Sequence, residues 1–156
     1  MVVVYSFIMT PITGLGNTDY PVQNKIGVVM VSVATLHFSE LTDDYLDFTG
    51  KYFRVLPGGS NEAPAIFFAK GKYYMFTSGT TGWKPNAARL SVASKMFGEW
   101  KSIGNPCRGT EDENKITFGS QSTQILPVQG KKNAFIYMGD KWTPENLADS
   151  RHIWLP

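Results

Sequence analysis

Residues 61 to 68, Asn-Glu-Ala-Pro-Ala-Ile-Phe-Phe, set one carboxylate at the mouth of an apolar run. A carboxyl group beside apolar side chains loses hydration of its charged form, so its pKa rises. Near neutral pH that is the setting of a proton donor. Glu62 has it, and is the candidate acid; the plainer alternative is a surface glutamate in a turn before a proline. A second candidate is Gln121, in Thr-Phe-Gly-Ser-Gln-Ser-Thr. An amide takes no proton at neutral pH, so Gln121 is a poor base, although its carbonyl can orient a water. Its alternative is a turn amide bonded to its own backbone.

Strands must position these groups, because turn signals recur along the chain while helical periodicity is nearly absent. Pro64 to Phe68 and Tyr73 to Thr77 read as strands joined by the Lys-Gly-Lys turn. Ala88 to Ala93 alternates as a third, and Trp100 to Ile103 is a short fourth. Further on, residues 122 to 128, 133 to 140 and 151 to 156 resemble the first, second and third strands of the same meander. Upstream, residues 34 to 41 and 51 to 56 resemble a third and a fourth. The unit repeats at roughly 55 to 60 residues, near the ~40 to 50 of propeller blades plus a longer loop. This predicts an all-β chain, a partial β-propeller of about two to two and a half blades, with a sandwich or barrel as the alternative. Equivalent places in successive blades would aim Glu62 and Gln121 at one axis.

Composition is that of an ordinary globular chain: 156 residues, 42% hydrophobic and 18% charged. The 15 basic and 13 acidic residues leave a net charge of +2, scattered rather than clustered, which gives no footprint for nucleic acid or an acidic membrane. The single cysteine, Cys107, excludes an intrachain disulfide and a multi-cysteine metal site. His37 and His152 have no acidic or cysteine neighbours at ligand spacing along the chain, so no metal is expected. The opening apolar run lacks a basic flank and is cut by Pro11 and Gly14, which argues against a signal peptide or a membrane span. Gly-Leu-Gly at 14 to 16 lacks the strand and helix of a phosphate loop. Asp43 and Asp44 read as solvated loop acids, and Gly-Thr-Glu-Asp-Glu-Asn-Lys at 109 to 115 as a charged loop.

Taken in order, NEAPAIFFAKGKYYMFTSGTTGWKPN, TFGSQST, YMGDKW and SRHIWLP resemble glycoside hydrolase family 43, and within it most the exo-β-1,3-galactanase group. The resemblance covers residues 34 to 156 and leaves 1 to 33 as an uncertain N-terminal segment. It implies a portion of a five-bladed propeller with its active site on the central axis. It also implies a secreted, extracellular enzyme of carbohydrate metabolism, a monomer at full length, which hydrolyses β-1,3-galactan-type bonds of an oligo- or polysaccharide with inversion and needs no cofactor. Inversion uses an acid and, ~6.5 to 9.5 Å away, a group that activates water on the opposite face. In the resemblance Glu62 takes the place of the acid, and Gln121 stands where other family members carry an aspartate base.

A further carboxylate is implied from an earlier blade; Asp19 aligns with no blade start. Thr80, Trp83 and Asn86, in the loop after the second strand, are candidates for sugar contact, since pyranose C–H faces pack on indole and hydroxyls suit hydroxyl and amide partners. A tryptophan there is equally a plug between blades. Asp140 and Trp142 are a pocket-facing pair by resemblance, or a turn and a core residue by default. The alternative to an enzyme is a fragment that only binds carbohydrate. A protein-binding propeller would show the Gly-His and Trp-Asp signatures that are lacking.

Overall fold

The computed structural model describes residues 35–156, together with the backbone course of two strands, Val3–Ile8 and Ile26–Ser32. Pro11, Gly14, Gly-Leu-Gly at 14 to 16 and Asp19 lie outside the described residues.

Eleven strands are described, in three antiparallel sheets. The first has β1 (Val3–Ile8), β2 (Ile26–Ser32), β3 (Thr35–Leu41) and β4 (Phe48–Val55), in that order. The second runs β5 (Asn61–Ala69), β6 (Lys72–Gly79), β7 (Arg89–Ala93) and β8 (Lys101–Gly104). The third holds β9 (Gln121–Pro127), β10 (Phe135–Lys141) and β11 (Arg151–Leu155). Each is a simple meander, as the strand repeat requires. The first sheet is fuller than the sequence pattern suggested: β1 and β2 complete it, where only two strands were expected. β2 pairs with β3 from Ile26↔Glu40 to Ser32↔Thr35.

The sheets stack in sequence, and the middle one is covered on both faces. Along β6, Tyr73 and Met75 face the first sheet and join Leu36, Phe38 and Val55 in one core, with Ala93, Met96 and Trp100. Phe76, of opposite parity, faces the third sheet, where with Phe67 and Phe135 it packs around Ala65, Ile125 and Tyr137. This period of two explains the unbroken apolar runs AIFF and YYMF, because a strand buried on both sides needs apolar residues at every position. Aromatic rings fix the spacing: Phe38 meets Trp100 edge to face at 5.9 Å, and Phe67 lies 4.7 Å from Phe135. Trp100 spends its polar end on the Met96 carbonyl, at 3.0 Å. Full burial of a side chain such as Phe38 or Met75 contributes about 1.5–3 kcal/mol.

The charged loop at 109 to 115 folds into a short helix, α1 (Glu111–Lys115). Thr110 caps it: its hydroxyl accepts from the Glu113 N–H, while the Glu113 carboxylate accepts from the Thr110 N–H at 2.7 Å. This reciprocal pair satisfies two otherwise orphaned donors and sustains a helix with no buried residue. The Thr-x-x-Glu spacing is its signal. Among the described residues no helix is long and apolar enough to cross a membrane.

Candidate active site

β5 and β9 are the first strands of neighbouring sheets, and they pack against one another. Glu62 is the second residue of β5 and Gln121 the first of β9, and each strand is irregular just beyond. In β5 the register slips between Glu62 and Ala65, and Ala63 has φ +51°. In β9 it slips between Ser122 and Gln124, opposite Gly139 and Met138. Such bulges add a residue, twist the strand and re-aim its side chains. Pro64, which lacks an N–H, is the sequence mark of the first. The two strands are tied where they bulge, since the Ser122 hydroxyl donates to the Ala63 carbonyl.

Past these bulges the side chains of Glu62 and Gln121 meet. Gln121 Nε2 donates to Glu62 Oε1 at 3.0 Å and to the Gly82 carbonyl at 2.9 Å. A carbonyl only accepts, so Gly82 fixes which way the amide faces. Gln121 Oε1 has no protein partner among the described residues. Both side chains are half-buried. Burial pushes the Glu62 carboxyl above its ordinary pKa, opposed in part by the Gln121 amide and by a backbone hydrogen bond from Thr81. At 3.0 Å the pair is in direct contact, unlike two groups that flank a sugar and a water at ~6.5 to 9.5 Å.

The other candidates divide. Trp83 and Trp142 come together from different sheets, edge to face at 4.7 Å and 80°. They stay 52% and 38% exposed, which makes them a surface pair rather than a core plug. Asp140 is the register partner of Gln121 on one side and of His152 on the other. His152 Nδ1 lies 2.8 Å from its carboxylate, a pairing across strands that spacing along the chain concealed. Asn86 turns inward on its own loop. Its amide accepts from the Gly79 N–H at 2.7 Å and donates to the Gly79 carbonyl and the Thr81 hydroxyl. Thr80 is exposed and, with Asn86 and Arg89, lines a depression of about 510 Å³ that Glu62 and Gln121 do not border.

Sequence reasoning passed over three contributors. Arg89 reaches back to the start of β5, where Nη1 donates to the Gly59 carbonyl at 2.6 Å and to Asn61 Oδ1 at 2.9 Å. Asn61, buried, also accepts from the Thr77 hydroxyl. Ser122 and the Gly82 carbonyl are the others, and neither carries a signal legible before the sheets are stacked.

Solved structures similar to this chain include glycosidases. A family 43 β-1,3-galactosidase solved with galactodeoxynojirimycin is 52% identical, at a TM-score of 0.75, over 85% of this chain and 38% of its own. The chain is therefore similar to part of a glycoside hydrolase family 43 galactanase. An exo-β-1,3-galactanase from Clostridium thermocellum is 30% identical, at a TM-score of 0.73, over 98% of this chain and 31% of its own. A second family 43 β-1,3-galactosidase is 31% identical, at a TM-score of 0.79, over 98% of this chain and 30% of its own. The chain thus spans about a third of the length of these relatives. No family model matches the sequence, and no curated protein does. The three stacked sheets are a partial propeller of the family 43 type.

Proposed function

We propose that the protein hydrolyses β-1,3-galactan-type glycosidic bonds with inversion, and that residues 34–156 are a portion of its catalytic domain. The observation that carries this reading is Glu62: a half-buried carboxyl with its pKa raised by burial, held by an amide from the next blade. The likeness to β-1,3-galactosidases and exo-β-1,3-galactanases supports the linkage. An exo-β-1,3-galactanase from Phanerochaete chrysosporium, 28% identical, is solved with β-1,3-galactotriose when one of its glutamates is replaced by glutamine.

In the reaction Glu62, protonated, gives its proton to the glycosidic oxygen as the bond to the anomeric carbon breaks. The glycosidic oxygen takes the place of the Gln121 amide at the carboxyl. Gln121, released from Glu62, uses Oε1 to accept from the water that attacks the opposite face. The water's proton passes to solvent, because the amide holds none at neutral pH. Asp140, the register partner of Gln121, borders the sugar. The enzyme works outside the cell, as a monomer, on an oligo- or polysaccharide. Release of the α-anomer from β-1,3-galactotriose, followed by NMR in the first minutes, supports the proposal; release of the β-anomer overturns inversion.

A further inference from the structure

The loop from Gly79 to Asn86 is secured at its base and its tip by different means. At the base, Asn86 clamps Gly79 and Thr81 within the loop itself. At the tip, two contacts reach the third sheet: the Gly82 carbonyl accepts from Gln121, and Trp83 packs edge to face on Trp142. Trp142 follows directly on β10, and its neighbour Thr143 is anchored by donating its N–H to the Ser150 hydroxyl at 3.1 Å. Gly82 has φ +61° and nothing within 4 Å of where a Cβ would stand, and it sits in a turn closed by the Lys84 N–H on the Thr81 carbonyl at 3.4 Å and by the Thr81 hydroxyl on the Lys84 carbonyl at 2.5 Å. The indole pair one residue away ties that turn to the third sheet.

We propose that Trp142 is a positioning residue: through Trp83 it holds the Gly82 carbonyl where it orients the Gln121 amide, with Nε2 toward Glu62 and Oε1 free. The proposal deepens the reading of Gln121 given above and rests on it for its kinetic consequence. It differs from a sugar-stacking role, because a ring that stacks on substrate acts through binding. A ring that positions Gln121 acts through turnover, and only while Gln121 is present.

The test is a double-mutant cycle in the complete protein, with β-1,3-galactotriose as substrate. Trp142→Ala is expected to lower kcat about ten- to a hundredfold with little change in KM, the cost of a misplaced group near the reaction. Trp142→Phe should restore most of it. In the Gln121→Ala background, Trp142→Ala should cost nothing further. Independent, multiplying losses, or a loss confined to KM, would overturn the proposal. Trp83→Leu is the second variant and should reproduce the result, since both rings lie at the surface and neither is core.

A readout without activity separates this proposal from the reading beneath it. The side-chain NH2 signals of Gln121, identified by their disappearance in Gln121→Ala, should broaden or merge in Trp142→Ala and recover in Trp142→Phe. Unchanged signals would sink the positioning role whatever the kinetics. Unchanged turnover in Gln121→Ala would instead sink the part given to Gln121 in the reaction, while the NMR result still decides the clasp.

Discussion

Gln121 and Glu62 stand 59 positions apart in the chain, yet the amide of one donates to the carboxyl of the other at 3.0 Å. Two first strands of neighbouring sheets, each bulged just past its site residue, produce that contact. Its chemical consequence is opposition: burial raises the pKa of the acid and the amide draws it down. The amide favours the charged form because it donates to it.

Removing the amide therefore has a defined sign. With Gln121→Ala the lowering contribution disappears, the Glu62 pKa rises further, and the acid stays protonated to higher pH. The alkaline limb of the kcat/KM profile is expected to move to higher pH while kcat falls. A limb that moves to lower pH would contradict the assignment of that limb to Glu62.

Ala63 has φ +51°, where an L side chain is strained by roughly 1–2 kcal/mol. A branched side chain fits worse there. Ala63→Val should destabilise the fold by about 1–3 kcal/mol, the range for residues held in such regions, and misdirect Glu62 as well. Ala63→Gly should be tolerated. Urea unfolding of both variants checks this, and equal midpoints would show that the bulge is not under strain.

The blade pattern was legible for a physical reason: the middle sheet is covered on both faces, so β5 and β6 are apolar throughout and end in clear turns. The first sheet was half legible, since β1 lies in the opening run weighed only as a signal or a span, and β2 in the part of the N-terminal segment given no reading. The helix α1 escaped because capping sustains it, not an apolar face, although Thr110 and Glu113 carried the sign. In the site, Glu62 stood out through its own neighbours in sequence. Gln121 stood out only through the repeat and the family. Contacts between sheets had no local signal at all: Trp83 with Trp142, Gln121 with Gly82, Ser122 with Ala63. They depend on how blades stack, and no window of sequence contains both partners.

Met75 is buried between the first and second sheets, among Leu36, Phe38 and Trp100. Met75→Ala is expected to cost about 2–5 kcal/mol, the loss of transfer energy plus the cavity left behind. The same change at Met138, on the third sheet and outside that cluster, should cost less. Equal losses by chemical denaturation would mean that the first two sheets do not share a core.

The central claim is that Glu62 supplies the proton, and Glu62→Gln in the complete protein tests it most directly, because the substitution keeps shape and removes the acid. Hydrolysis and binding of β-1,3-galactotriose are measured side by side, by product release and by calorimetry. Turnover should fall about 10²- to 10⁴-fold, the usual worth of general acid catalysis, while the dissociation constant stays within a few-fold. Turnover equal to that of the unsubstituted enzyme would contradict the account.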